Sequence, residues 1–444
     1  MLKKGDKKVI NAWAFYDWAN SVYPLVITTA IFPIFYNKVT SVEDVETGKV
    51  ISDSVTFLGM EFKNTALYSY IIALSFLIVS FISPILSGIA DYSGNKKSFL
   101  KFFCYLGSIS CMSLFFFDPA NLEISLIPVL TASVGFWGSL VFYNAYLPEI
   151  AEAKDHDRVS AKGFSMGYIG SSLLLIICLA LMIKFEMEAK YCFLLVGLWW
   201  LGFAHVTYAR LPNNVYERKA EGKLFSRGFQ ELKKVWREIK HTVRLKRYLF
   251  AFFAFSMGIQ TVMIMASLFG AKEIDWCPGG GCNAEELAGN QEMGLIGSIL
   301  LIQFIAVGGA YLFSWMSSKL GNLKTLGITL LIWIGLCISA FFVFEPTGFF
   351  ALAAVVGLVM GGIQSLSRST YAKFLPETED HASYFSFYDV TEKIAIVIGM
   401  FAFGVIEDAT GSMRNSTMAL TAFFVIGFIL LLLVPAKEKS KQEA

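Results

Sequence analysis

The sequence predicts an all-α membrane protein. Twelve transmembrane helices are expected, forming two six-helix halves related by a pseudo-two-fold axis along the membrane normal. Three observations carry this expectation. Of 444 residues, 55% are hydrophobic and only 16% charged, against about a quarter charged in soluble domains. Mean hydropathy is +0.58. Twelve runs are apolar enough, over the roughly 20 residues a hydrocarbon core requires, to cross it as helices. Two short motifs also recur at nearly the same offset along the chain.

Taken in order, the spans fall at 10–37, 65–90, 98–117, 122–147, 161–183, 191–210, 248–270, 291–316, 324–344, 348–374, 383–407 and 415–435. The basic start "MLKKGDKK" runs into the first of these with no small-residue cleavage site, so span 1 is expected to be retained. Lysine and arginine choose the orientation. Lys96, Lys97 and Lys101 lie between spans 2 and 3, and Lys154, Arg158 and Lys162 between 4 and 5. Lys319 and Lys324 join spans 8 and 9, and Arg368 and Lys373 lead to the 10–11 turn, whereas the opposite loop "DPANLE" has no cation. Both termini are therefore expected in the cytoplasm, with the protein in a bacterial inner membrane. The stretch 211–247 holds eleven Lys/Arg against four Glu. It divides the chain into a six-helix half at 1–210, a cytoplasmic basic linker, and a second half at 248–444. Within the linker, Phe229, Leu232, Val235, Trp236, Ile239 and Val243 stand at helical spacing. Such a basic amphipathic helix suits either an anionic leaflet or packing on the bundle.

The repeat links Gly94–Lys97 ("GNKK") to Gly321–Lys324 ("GNLK"), and Leu147–Glu149 to Leu375–Glu377, both "LPE". Each pair occupies the same place in its half. This is the parallel repeat of major facilitator transporters, whose site lies between the halves near the midplane. "SGIADYSGNKKSFL" resembles the signature loop between spans 2 and 3 of that superfamily at Gly88, Asp91, Gly94, Lys96 and Lys97. The resemblance implies that the aspartate meets the cytoplasmic end of span 11 and that the basic residues bind the inner surface. Asn95 stands where the motif usually has arginine, and the second copy is degenerate, with Ser318 opposite Asp91. "AWAFYDWANSVY", "FYNAYLPEIA" and "SAKGFSMGYIG" narrow the match to the "unknown major facilitator" family, which is related to fungal vacuolar amino-acid effluxers acting after autophagy.

Asp17 is the one charged side chain between Lys8 and Lys38. It shares a helical face with Asn20, Ser21, Pro24 and Thr28. A carboxylate in lipid costs at least a few kcal/mol, so this face should meet protein or water. Asp17 lies roughly 13 Å beyond Lys8 at 1.5 Å per residue, towards the cytoplasmic side. It is expected either to hold a cation or coupling proton or to lock the inner gate, with Asn20 the better placed to face a solute. Span 11 carries Asp389, Glu392 and Lys393 within little more than a turn, a set expected either to form a gating network with Arg368 or to sit at the interface with Lys393 snorkelling. Gln260, Gln303 and Gln364 offer amides to a polar solute, or helix–helix contacts. Tyr143 and Asn144 end span 4 and are expected at the gate.

Net charge is +2, which gives no ground for nucleic-acid binding. No Walker loop, HExxH sequence or nucleophile elbow occurs. The expectation is a non-enzyme without metal or cofactor. Cys277 and Cys282 in "WCPGGGCN" could form a local disulfide, remain thiols or, least in keeping with their surroundings, hold zinc. The other five cysteines lie in apolar runs. The function expected is secondary transport of a small polar solute, amino acids among the classes, by alternating access coupled to protons. The protein is expected to be monomeric, with lipids as neighbours. The rival expectations are an uncoupled facilitator and a non-transporting membrane sensor or scaffold.

Overall fold

The computed structural model describes residues 4–43, 50–213, 216 and 224–436. Span 1 comprises Lys7–Asn20, Tyr23–Ala30 and Phe32–Thr40. Spans 2 to 6 are Asn64–Ser93, Lys96–Ser113, Leu122–Ala145, His156–Phe185 and Ala189–Tyr208. Spans 7 to 12 are Val243–Glu273, Ala284–Leu320, Asn322–Phe341, Pro346–Phe374, His381–Thr410 and Met413–Leu432. Among the described residues, eleven helices are long and apolar enough to cross a membrane. Span 11 is the twelfth long helix at the expected places, and the charges of Asp389, Glu392 and Lys393 set it apart from the others.

Span 1 departs from a uniform α-helix. Tyr23–Ala30 is π-helical, with Pro24 in its first turn. Proline has no N–H to continue the ladder, and the Pro24 carbonyl accepts instead from the hydroxyls of Thr28 (2.6 Å) and Thr29 (2.8 Å). The α-helical projection therefore holds for Asp17, Asn20, Ser21 and Pro24 but not for Thr28. Beyond span 1, Ser54–Phe57 and Met60–Lys63 form an antiparallel hairpin. Its two turn residues, Leu58 and Gly59, both have positive φ, as a type I′ turn requires.

Small residues bring the helices together, as is usual where no water drives apolar surfaces into contact. A Cβ on Gly163, Gly167 or Gly170 of span 5 would lie 2.4–2.8 Å from atoms of Asp17, Ser21 and Trp18 in span 1. In the second half, Gly357 and Gly361 of span 10 abut the Ile302 and Ala306 carbonyls of span 8.

The linker helix, Leu224–His241, packs against the bundle. Val235 and Ile239 are buried. Gly88 of span 2 meets Gly228 so closely that a Cβ at Gly88 would stand 2.2 Å from the Gly228 carbonyl oxygen. The signature-loop glycine thus makes room for the linker helix. Gly94, with φ of 69°, ends span 2 in the left-handed conformation and gives the tight turn expected there. The linker lies at one end of the bundle, called the linker end below. The opposite end carries the Ser54–Lys63 hairpin and the Cys277–Cys282 loop, in which the two cysteines are disulfide-bonded.

The other five cysteines are free and buried. Alkylation of the native protein is therefore expected to modify none of the seven before reduction and two, Cys277 and Cys282, after it. Mass spectrometry of the labelled peptides checks this, and modification of both in the unreduced protein would contradict the bond. Gly88→Leu is expected to lift the linker helix from span 2, which limited proteolysis across 224–241 reads as faster cleavage.

Candidate functional site

Arg368 of span 10 is 3% exposed and sits in a socket made by the first half. Its Nε donates to Ser160 Oγ (2.9 Å) and its Nη2 to the Ser160 carbonyl (3.0 Å). Nη1 donates to Asn144 Oδ1 (3.1 Å), and both terminal nitrogens lie 3.4 Å from Asp17 Oδ2. The guanidinium also lies over the rings of Phe164 (4.2 Å), Trp13 (4.9 Å) and Tyr143 (5.5 Å). The Tyr143 hydroxyl donates to the same Asp17 oxygen at 2.7 Å. A planar, permanently charged group with five donors suits such a site better than an ammonium would. Gly163 is what lets the ion pair fit, because its Cβ would lie 2.4 Å from Asp17 Oδ2.

A second contact reverses the roles. Asp157, at the start of span 5, enters a socket made by the second half. It accepts from Lys373 Nζ (2.6 Å), Ser317 Oγ (2.7 Å), Ser369 Oγ (2.7 Å) and Asn322 Nδ2 (2.7 Å). Ser317 and Asn322 flank the degenerate second signature loop. That loop has lost the acid found in the first copy, and its polar residues now donate to an acid on the neighbouring helix.

The first copy keeps its acid. Asp91 accepts from the backbone N–H groups of Ala382 (3.1 Å) and Ser383 (2.6 Å) in the first turn of span 11. These are orphan donors at a helix N-terminus, where negative charge is favoured by up to about 2 kcal/mol in partly buried sites. Beside them, Glu149 pairs with Lys96, and His381 Nδ1 lies 3.2 Å from the same Glu149 oxygen. Lys96 therefore does not bind the inner surface as the resemblance implies. It is buried, with Asp91 3.8 Å away on its other side, and supplies charge where Asn95 replaces the usual arginine. Lys97 donates to the Leu211 carbonyl (2.9 Å) rather than reaching lipid.

Further along the bundle, Lys393 of span 11 pairs with Asp389 and lies 3.9 Å from Glu392 Oε2. Its ammonium is 3.9 Å from the ring of Trp137 in span 4. Gln260 Nε2 donates to Glu392 Oε1 (2.9 Å). Asp389 Oδ2 is buried and accepts no hydrogen bond. Lys393 is 1% exposed, so it does not snorkel. Arg368 is not part of this cluster: its polar partners are Asp17, Asn144 and Ser160.

The candidate residues thus fall into separate groups. Asp17, Tyr143, Asn144 and Arg368 come together. Asp389, Glu392, Lys393 and Gln260 form a second group. Gln364 accepts from the Tyr168 hydroxyl (2.6 Å) across the halves. Gln303 and Ser21 are half-buried between these groups, and Asn20 is buried with its Nδ2 making no hydrogen bond. Among the described residues, no hydrogen bond or ion pair joins the halves on the disulfide side of these contacts. Asp157, Ser160, Glu149, His381 and Trp137 were not singled out from the sequence. Asp157 lies beside Arg158 and just ahead of the "SAKGFSMGYIG" motif, and that adjacency was the one available signal for it.

Comparison with known proteins agrees with this architecture. The family described as "Vacuole effluxer Atg22 like" matches residues 5–444. An uncharacterized MFS-type transporter, YxiO of Bacillus subtilis, is 30% identical over 98% of this chain and 96% of its own length. Autophagy-related protein 22 of Coccidioides immitis is 23% identical over 99% of this chain and 88% of its own. Among solved structures, the Escherichia coli fucose:proton symporter FucP superposes with a TM-score of 0.66 at 16% identity, over 97% of this chain and 98% of that one. The human organic anion transporter MFSD10 gives 0.69 at 10% identity, over 97% and 100%. These two show the fold alone. With a family match over nearly its whole length and a full-length bacterial relative, this chain belongs to the vacuole effluxer Atg22-like family of major facilitator transporters.

Proposed function

We propose that the protein is a proton-coupled secondary transporter of a small polar solute, captured with its linker end sealed. The observation that carries this reading is the exchange of buried charges between the halves, with Arg368 seated in the first half and Asp157 in the second. A permanent scaffold has no need to bury charge at a sliding interface. An alternating-access protein needs contacts that hold one end shut and can be remade. In this reading Asp17 is the gate lock, because its carboxylate is already engaged by Arg368 and Tyr143.

The coupling site is then the span 11 cluster. One lysine faces two carboxylates, and a proton or a solute ammonium would balance the remaining negative charge. The cluster offers both signs of charge, as a zwitterionic amino acid requires, and the family's description as vacuole effluxers favours export. The charge bias of the loops supports a cytoplasmic linker and cytoplasmic termini.

Removing one partner of a buried ion pair typically costs roughly 3–5 kcal/mol, and here that cost falls on the sealed state. Arg368→Gln is therefore expected to open the linker end. The measurement is maleimide labelling from that side of Ser165→Cys, at a position that is 2% exposed in the sealed state. Labelling should rise at least tenfold, and an unchanged rate would remove Arg368 from the seal. Gly163→Leu, which keeps every charge but occupies the ion pair's space, should act in the same direction.

Purified protein in proteoliposomes tests the chemistry. Counterflow is screened across amino acids, peptides and sugars, with and without a pH gradient. Glu392→Gln should abolish gradient-driven accumulation while leaving counterflow, and Asp17→Asn should alter rate but keep accumulation. Loss of coupling in Asp17→Asn alone would reverse the two assignments. Accumulation indifferent to pH in the wild type would favour an uncoupled facilitator, and no flux of any solute a sensor.

A further inference from the structure

The linker helix packs one side against the bundle, chiefly on span 2, and reaches span 11 and its cap through Lys234, Trp236 and Glu238. Gly228, Leu232, Val235 and Ile239 face the neighbouring spans, and of these Gly228, Val235 and Ile239 are buried. Beside them runs a stripe of Phe229 and Trp236, continued by Val243 at the start of span 7. These three remain 56%, 46% and 41% exposed; Phe229 and Trp236, seven residues apart on one helix, lie on nearly one line, and Val243 follows the extended Thr242 that separates the linker helix from span 7. Beyond the stripe lies a row of exposed cations, Lys233, Arg237 and Lys240.

The position of the stripe shows what it meets. Trp236 stacks on Phe387 of span 11, with ring centroids 5.4 Å apart. Along span 11 the same helical face continues through Ile394, Ile398, Phe401 and Val405, all exposed. In a membrane-spanning helix that face meets hydrocarbon. The aromatic stripe therefore begins where the lipid-facing surface ends, and the cations stand on its far side. Lys240 Nζ lies 5.0 Å over the Trp236 ring and so borders both regions. An apolar aromatic edge flanked by cations at the end of the hydrocarbon layer is the arrangement of an interfacial helix.

We infer that the linker helix is a docking surface for anionic phospholipids. Phe229 and Trp236 enter the boundary between acyl chains and headgroups, and Lys233, Arg237 and Lys240 take the headgroup phosphates. Each such cation is attracted to an anionic surface, and the attraction falls off within a Debye length. The inference rests on the membrane placement of the family and is independent of the solute or the coupling ion.

The experiment uses full-length protein carrying Phe229→Cys, labelled with a bimane fluorophore. The native cysteines are buried or disulfide-bonded and do not compete for the label. The protein is placed in nanodiscs of phosphatidylcholine alone or with about a third phosphatidylglycerol, the acyl chains being brominated near the headgroup. Quenching is expected to be at least about twofold greater with phosphatidylglycerol and to lose that difference in molar salt. Lys233→Gln, Arg237→Gln and Lys240→Gln combined should abolish the lipid dependence. These exposed positions bear little of the fold, and an unchanged elution profile confirms that the variant is intact. Equal quenching in the two compositions, a lipid dependence that survives in the triple variant, or a label that stays in water throughout would each overturn the proposal.

Discussion

A guanidinium in the middle of a membrane protein must have its charge and its five N–H groups answered by other residues, and for Arg368 these are Asp17, Asn144 and Ser160, all in the other half of the molecule. This one requirement organises much of the linker end. It explains why a carboxylate stands inside span 1, why Tyr143 turns its hydroxyl onto the same oxygen, and why Ser160 presents both its side chain and its carbonyl. It also explains a glycine at position 163, where any side chain would displace the ion pair. Residues that look unrelated along the chain are the parts of one socket.

The same logic applies in the opposite direction at Asp157, which is held by a lysine, two serines and an asparagine of the second half. The two contacts are not copies of each other. In the first signature loop the acid lies on span 2 and meets the N-terminus of span 11. In the second, the loop contributes Ser317 and Asn322, and the acid lies on span 5. The repeat has kept the interaction and moved the charge. Each of these contacts is made between the halves rather than within one, which is what the proposed alternating-access cycle requires of a seal. The linker helix adds to this end by reaching from span 2 to span 11. There Lys234 meets Asp380 (2.8 Å) and Glu238 accepts from Tyr384 (2.7 Å).

How much of this was legible beforehand depends on the residue. Asp17 stood out because a lone carboxylate in an apolar run is costly, and Asp389, Glu392 and Lys393 stood out for the same reason. Gly88 and Gly94 were recognisable from their motif, although nothing in the motif indicated that Gly88 would meet the linker helix. A gating network of Arg368 with the span 11 charges is one of the two readings the sequence offers, the other being an interfacial cluster with Lys393 snorkelling. Arg368 turns instead toward span 1, where an acid and three rings lie within reach. Asp157 is not singled out in the sequence, and Glu149 only as the last residue of the LPE repeat, since the pattern around an acid near a helix end does not mark it as buried. Only the approach of the other half makes it buried.

The sequence by itself determined the number of spans, their order, the repeat and the basic linker. These follow from local quantities: the length of an apolar run, the cost of charge in hydrocarbon, and the asymmetry of lysine and arginine between loops. It also marked which polar residues had to be hidden from lipid. It could not say what they were hidden against. Partners such as Asp17 and Arg368 are separated by most of the chain, and their meeting depends on how twelve helices pack and on which end of the cavity is closed. The π-helical stretch at Pro24 is a case between these extremes. The sequence projects as one α-helical face through Pro24 to Thr28, whereas the structure is π-helical there, with the hydroxyls of Thr28 and Thr29, four and five residues on, sharing the Pro24 carbonyl. Pairing across the halves is a property of how the helices pack, and the pattern of any one span encodes the residues without encoding the contact they make.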